Sequence, residues 1–88
     1  MSAHLDKITQ KIRKKLSMLL GKEYEEIDHS ALLADLGVDS LTLVELFVFI
    51  EQEFGINLME SGFQQEDMKT VSSLSSRIAR ETEKPDSP

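Results

Sequence analysis

Cysteine is absent from the 88 residues, which excludes disulfides and thiolate metal sites. Histidine occurs only at His4 and His29, too far apart in sequence for a zinc site to be expected. No apolar run reaches the ~18 residues of a membrane span, and the basic start has no signal-peptide apolar region behind it. A soluble, cytoplasmic protein without a membrane span is expected. Strand-like alternation and internal repeats are missing too. One small domain is all that the length allows, and such a chain buries only ~60–65% of its unfolded surface.

Positive charge is missing from the whole middle of the chain. Residues 1–22 hold Lys7, Lys11, Arg13, Lys14, Lys15 and Lys22 against Asp6 alone. From Glu23 to Met68 there is no Lys or Arg, while Asp and Glu number twelve, a far stronger imbalance than the net charge of −6 suggests. The block is laced with Leu, Ile, Val and Phe, which argues for a folded acidic face over disorder. Such a face repels nucleic acid and attracts basic protein surfaces. The lysines of the first segment are expected to cover the solvent side of a helix.

What is present reads as helix. In "HLDKITQKIRKKLSMLLGKE", Leu5, Ile8, Ile12, Leu16 and Leu19 recur every three or four residues, and Gly21 supplies a stop. The loop that follows offers Asp28 or Ser30 as a cap for a short turn burying Leu32 and Leu33. Gly37 precedes the next start, Asp39 is an N-cap, and a helix from about Ser40 to Phe54 ends at Gly55. "INLMESGFQQEDM" suggests a short helical turn broken by Gly62 and anchored by Ile56, Leu58 and Phe63. Thr70 caps a last helix carrying Val71, Leu74 and Ile78 on one face. "TEKPDSP" closes the chain as a polar, disordered tail. The fold class is all-α, a bundle of three main helices plus one short helix.

The helix after Ser40 is apolar on two sides. At about 100° per residue, Leu43, Leu46, Phe47, Ile50 and Phe54 form a core stripe about 100° wide. Leu41, Val44 and Val48 form a second stripe about 130° away, with Glu45, Glu51 and Gln52 beside or among them. Either the short helix covers this second stripe, or it stays open for a partner; the two readings can share it. Phe49 points elsewhere and is expected to be covered by a neighbouring loop.

Asp39 already fills the cap, so Ser40 is left free at the first helical position. There a hydroxyl faces the positive end of the helix dipole, a favourable place for a phosphate-linked group. The flanks "VDSLT" lack nucleophile-elbow glycines and no base lies close in sequence, so Ser40 is no catalytic nucleophile. A calcium loop started at Asp35 would place Gly37, Asp39, Ser40 and Leu46 at its third, fifth, sixth and twelfth positions, which fails at three of the four. No acid–base pair, metal site or phosphate loop assembles from these residues, so an enzyme is not expected.

"DLGVDSLTLVELFVFIEQEFGINL" closely resembles the phosphopantetheine attachment region of acyl carrier proteins, with its D-S-L core preceded by L-G-x. The outer helices match in position and pattern. The resemblance implies a four-helix bundle of the acyl carrier type, with residues 1–81 as carrier domain and 82–88 as tail. It implies that a phosphopantetheinyl transferase attaches 4'-phosphopantetheine from coenzyme A to Ser40. The terminal thiol of the arm would hold acyl groups as thioesters and pass them among acyl-loading and acyl-transfer enzymes such as synthases or acyltransferases. Asp39, Leu41, Val44, Glu45, Val48 and Glu51 occupy the positions that meet the basic grooves of partners. Thr42 stands where relatives in fatty acid synthesis usually have an acidic residue, and Phe47 and Phe49 add bulk. These departures lean toward a specialised polyketide, lipid or hybrid pathway. Met1 and the complete first helix favour a free-standing protein, and a monomer is expected. The alternative is an unmodified all-α interaction module that binds a partner helix through the same stripe.

Overall fold

The computed structural model describes residues 3–57 and 62–82. Four α-helices follow in order: α1 (Ala3–Leu20), the single turn α2 (Leu33–Leu36), α3 (Ser40–Phe54) and α4 (Val71–Thr82). Two short 3-10 turns, Tyr24–Glu26 and Gln65–Met68, lie in the connections. The expected all-α bundle, three long helices and a short one, is the fold that forms.

Local chemistry sets the ends of α3. Asp39 takes extended backbone angles and its carboxylate accepts the Thr42 N–H at 2.8 Å, satisfying one of the orphan donors of the first turn. Gly55, at φ 69°, closes the other end by turning left-handed, with its N–H bonded to the Glu51 carbonyl. At α4 the cap is reciprocal: the Ser73 N–H donates to Thr70 Oγ1 (2.9 Å) and the Thr70 N–H to Ser73 Oγ (3.1 Å).

The buried residues are those of the expected stripes with some additions. Ile8, Ile12 and Leu16 of α1 meet Leu46 and Ile50 of α3 and Val71, Leu74 and Ile78 of α4 in one core. Leu5, Leu19, Leu43, Phe47 and Phe54 pack half-buried around it. Ile27 of the loop after α1 and Leu36 of α2, both buried, complete it. Removing apolar area of this kind from water is the main stabilising contribution, about 25 cal/mol per Å2.

Three expectations change. Leu32 is exposed, and only Leu33 enters the core. Leu32 is extended and forms a lone antiparallel bridge with Thr70, while the Leu33 N–H donates to the Lys69 carbonyl at 2.8 Å. Neighbouring side chains on extended backbone point to opposite sides, so one leucine must face out. Neither Asp28 nor Ser30 caps α2, whose N-cap is Leu32 with no side-chain bond; Asp28 instead accepts from the N–H and hydroxyl of Ser30. Phe49 is covered by α1 and not by a loop, with Lys15 Nζ 5.4 Å from its ring centre and Phe54 edge-on at 6.3 Å.

The second connection contains its helical turn at Gln65–Met68, after Gly62, with Ile56 and Phe63 packed on the core. Leu58, the third expected anchor, lies outside the described residues. Of the expected tail, Thr82 belongs to α4, and its Oγ1 lies 2.6 Å from His4 Nε2; residues 83–88 lie outside the described residues.

The basic first helix does more than face solvent. Arg13 reaches under the first loop, its guanidinium donating to the Ile27 carbonyl at 2.6 Å and the Tyr24 carbonyl at 3.2 Å, while stacking 4.2 Å from the Tyr24 ring. Lys11 pairs with Glu53 of α3.

Candidate functional site

Ser40 is the first residue of α3, and its side chain is exposed. Because Asp39 holds the Thr42 N–H, the Ser40 hydroxyl is not needed as the cap, and it has no hydrogen-bond partner among the described residues. The hydroxyl therefore stands in solvent at the end of α3 where N–H groups point outward and the dipole favours anions. An oxygen so placed can accept a bulky phosphate-linked substituent without displacing a core contact.

The Thr42 backbone N–H, more than any other group, holds the Asp39 carboxyl below the usual aspartate value. A depressed folded pKa means that the cap stabilises fully above the unfolded-chain value and is lost as pH falls through the lower folded value. Asp39→Ala should therefore lower the melting temperature at neutral pH, with wild type and variant converging in acid below the aspartate range. Asp39→Asn should keep the cap and lose that pH dependence. Melting curves of the three proteins between neutral and strongly acid pH check this; a constant gap between wild type and Asp39→Ala would mean that the carboxylate does not act as the cap.

Beyond Ser40, the structure places all of the remaining candidate residues on exposed surface of α3. Leu41 is 70% exposed, Val44 56% and Val48 46%, against 0% for Leu46 and Ile50 of the opposite stripe. The second stripe thus keeps about half or more of its surface open, and the short helical turn does not bury it as core. Glu45 and Glu51 are exposed beside it and Asp39 at its head. The result is a short apolar ridge flanked by carboxylates, running away from Ser40.

Two features of this surface were not foreseen. A hollow of about 520 Å3 opens where α3 meets the loops, lined by Leu32, Leu33, Ala34, Leu43, Gln65, Met68 and Lys69. Leu43, on its α3 side, lies about one helical turn along the helix from Ser40. The outward-facing Leu32 is its only sequence signal, and that signal depends on a backbone bridge. The second feature is the α1 side of the stripe, where Lys15 and Leu19 line a hollow with Val44, Glu45, Val48, Phe49 and Gln52.

The bundle thus presents Ser40 at the start of α3 with its hydroxyl in solvent, beside an acidic and apolar ridge. Comparison with known proteins identifies the family. Residues 1–87 match the family model described as the C-terminal acyl carrier domain of the highly reducing polyketide synthase sdgA. The chain is 46% identical over 55 residues to an acyl carrier protein of Rickettsia bellii, covering 61% of this chain and 64% of that protein. It is 35% identical over 68 residues to the acyl carrier protein of Buchnera aphidicola, covering 76% of this chain and 84% of that one. It is also 33% identical over 84 residues to the highly reducing polyketide synthase FUM1 of Gibberella moniliformis, covering 88% of this chain but 3% of that synthase. The chain belongs to the acyl carrier protein family, though it spans less than two thirds of the Rickettsia relative's length and a small fraction of the synthase. Among the described residues no helix is long and apolar enough to cross a membrane.

Proposed function

We propose that Ser40 is the attachment point of 4'-phosphopantetheine and that this chain carries acyl groups as thioesters on the arm for polyketide-type synthesis. The observation that carries the reading is the exposed Ser40 hydroxyl, spared from capping by Asp39 and without a partner among the described residues. When bound, the arm supplies a terminal thiol, the one functional group for thioester chemistry that a chain without cysteine lacks. Ser40 Oγ forms the new bond to phosphorus, the adenosine nucleotide portion of coenzyme A leaves, and the transferase supplies the base. Asp39 stays committed to the cap and keeps the first turn of α3 rigid under the arm.

Leu41, Val44 and Val48 supply apolar contact for the phosphopantetheinyl transferase and for acyl-loading and acyl-transfer enzymes. Glu45, Glu51 and the exposed edge of Asp39 attract their basic grooves. The hollow behind Leu43 offers apolar shelter to the first carbons of a cargo. The carrier domain includes the whole of α4 through Thr82, and it acts in the cytoplasm as a monomeric carrier and not as a catalyst.

The test is intact mass after incubation with coenzyme A and a broad-specificity transferase. Wild type should gain one phosphopantetheine unit, and Ser40→Ala none, while circular dichroism shows the same helical fold for both. No gain in wild type would leave the unmodified interaction module as the reading, and a gain in Ser40→Ala would move the attachment site elsewhere.

A further inference from the structure

Along the seam between α1 and α3 lie two hollows of about 240 and 310 Å3, and both are lined by Lys15 and Phe49. The two hollows adjoin at the Lys15–Phe49 contact, and together they line an α1–α3 groove. Its α1 wall carries Lys14, Lys15 and Met18, and its α3 wall Val44, Val48 and Phe49. Met18 is 69% exposed, an apolar side chain standing in solvent on an otherwise basic face. The charges of the two walls differ in sign. Lys11 is neutralised by Glu53 at one end, but among the described residues Lys14 and Lys15 form no ion pair, and Lys15 rests over the Phe49 ring instead. Glu45 sits on the opposite wall.

This pattern limits what fits. An anionic bilayer or a nucleic acid would meet Lys14 and Lys15 but also Glu45 and a chain of net charge −6. The α3 ridge of a second copy carries carboxylates and no cation, so it would answer Lys14 and Lys15 but repel Glu45. A single partner helix fits: Lys11 to Met18 spans about two turns and Val44 to Glu53 about two and a half, at ~1.5 Å per residue. Its apolar ridge would lie between Met18 and Val48, with carboxylates along the edge facing α1 and cations along the edge facing Glu45.

We propose that a partner protein of the carrier seats such a bipolar amphipathic helix in the α1–α3 groove. The proposal rests on the docking role of α3, since Val44, Glu45 and Val48 are shared, and extends it to a basic wall. Lys14 and Lys15 then select among partners: an enzyme that reads only the outer α3 ridge ignores them, whereas one that uses the groove needs a carboxylate opposite.

The probe is a synthetic helical peptide of about 18 residues with a leucine ridge, glutamates along one edge and lysines along the other. Titrated into the isotope-labelled full chain, it should shift the amide signals of Lys14, Lys15, Met18, Val48 and Phe49. K14E/K15E should weaken binding about tenfold, and a peptide with lysines on both edges should recover most of that loss on the K14E/K15E protein. If E45K weakens binding while K14E/K15E does not, the groove proposal is overturned and α3 docking survives. If neither substitution matters, both fall. Self-association of the free chain that K14E/K15E abolishes, or retention on phosphatidylserine vesicles without peptide binding, would give the groove to a second copy or a membrane and overturn the proposal.

Discussion

Ile50→Ala is expected to destabilise the fold by about 2–5 kcal/mol, whereas Val48→Ala, two residues away on the same helix, should cost less than about 1 kcal/mol. Ile50 is fully buried among the residues of α1 and α4, so truncation removes apolar contact and leaves a cavity that fixed helices cannot close. Val48 is 46% exposed and loses little on truncation. Function should divide the opposite way. Val48→Ala and Leu41→Ala should slow modification of Ser40 or loading by a partner, while Ile50→Ala should leave the rate unchanged at temperatures where it stays folded. Chemical denaturation and transferase kinetics on the same preparations separate the two effects. Equal destabilisation at both positions would make the second stripe part of the core and remove the docking surface.

Arg13→Ala should cost about 2–3 kcal/mol of stability. The guanidinium satisfies two loop carbonyls, at Ile27 and Tyr24, and stacks on the Tyr24 ring. Hydrogen bonds to a charged donor contribute about 1.5–3 kcal/mol each, and part of that returns when water reaches the opened loop. Arg13→Lys should recover about half at most, because a point-charge ammonium cannot span both carbonyls and lie flat on the ring. Lys14→Ala next door should be within about 0.5 kcal/mol of wild type. Urea midpoints of the three variants check the order. An Arg13→Ala protein as stable as Lys14→Ala would show that the first loop needs no such anchor.

The contrast between Arg13 and Lys14 marks where sequence reading reached its limit. The two are adjacent, both basic and both off the apolar stripe of α1. What separates them is that the loop carrying Tyr24 and Ile27 folds back beside one and not the other, which is a tertiary event. Ile27 itself, a single isoleucine in an acidic loop, has no periodic company to announce its burial. Leu32 misled for a related reason: two consecutive leucines suggest two core residues, but the bridge to Thr70 fixes extended backbone there and turns one outward. By contrast α3 was legible almost to the residue. Asp39, Ser40 and Gly55 punctuate it with local chemistry, and its two stripes separate on helical period alone. The frame of the candidate site was therefore readable because it is local to one helix. Its surroundings, the α1 wall and the hollow behind Leu43, depend on which helices become neighbours.

The most direct measurement is mass spectrometry of the chain recovered from its own cell, digested to isolate the peptide that contains Ser40 and fragmented to locate any added mass. Phosphopantetheine on Ser40, in part extended by an acyl group that hydroxylamine releases, is the predicted result. Ser40 recovered unmodified throughout, or an arm on any other serine, would contradict it.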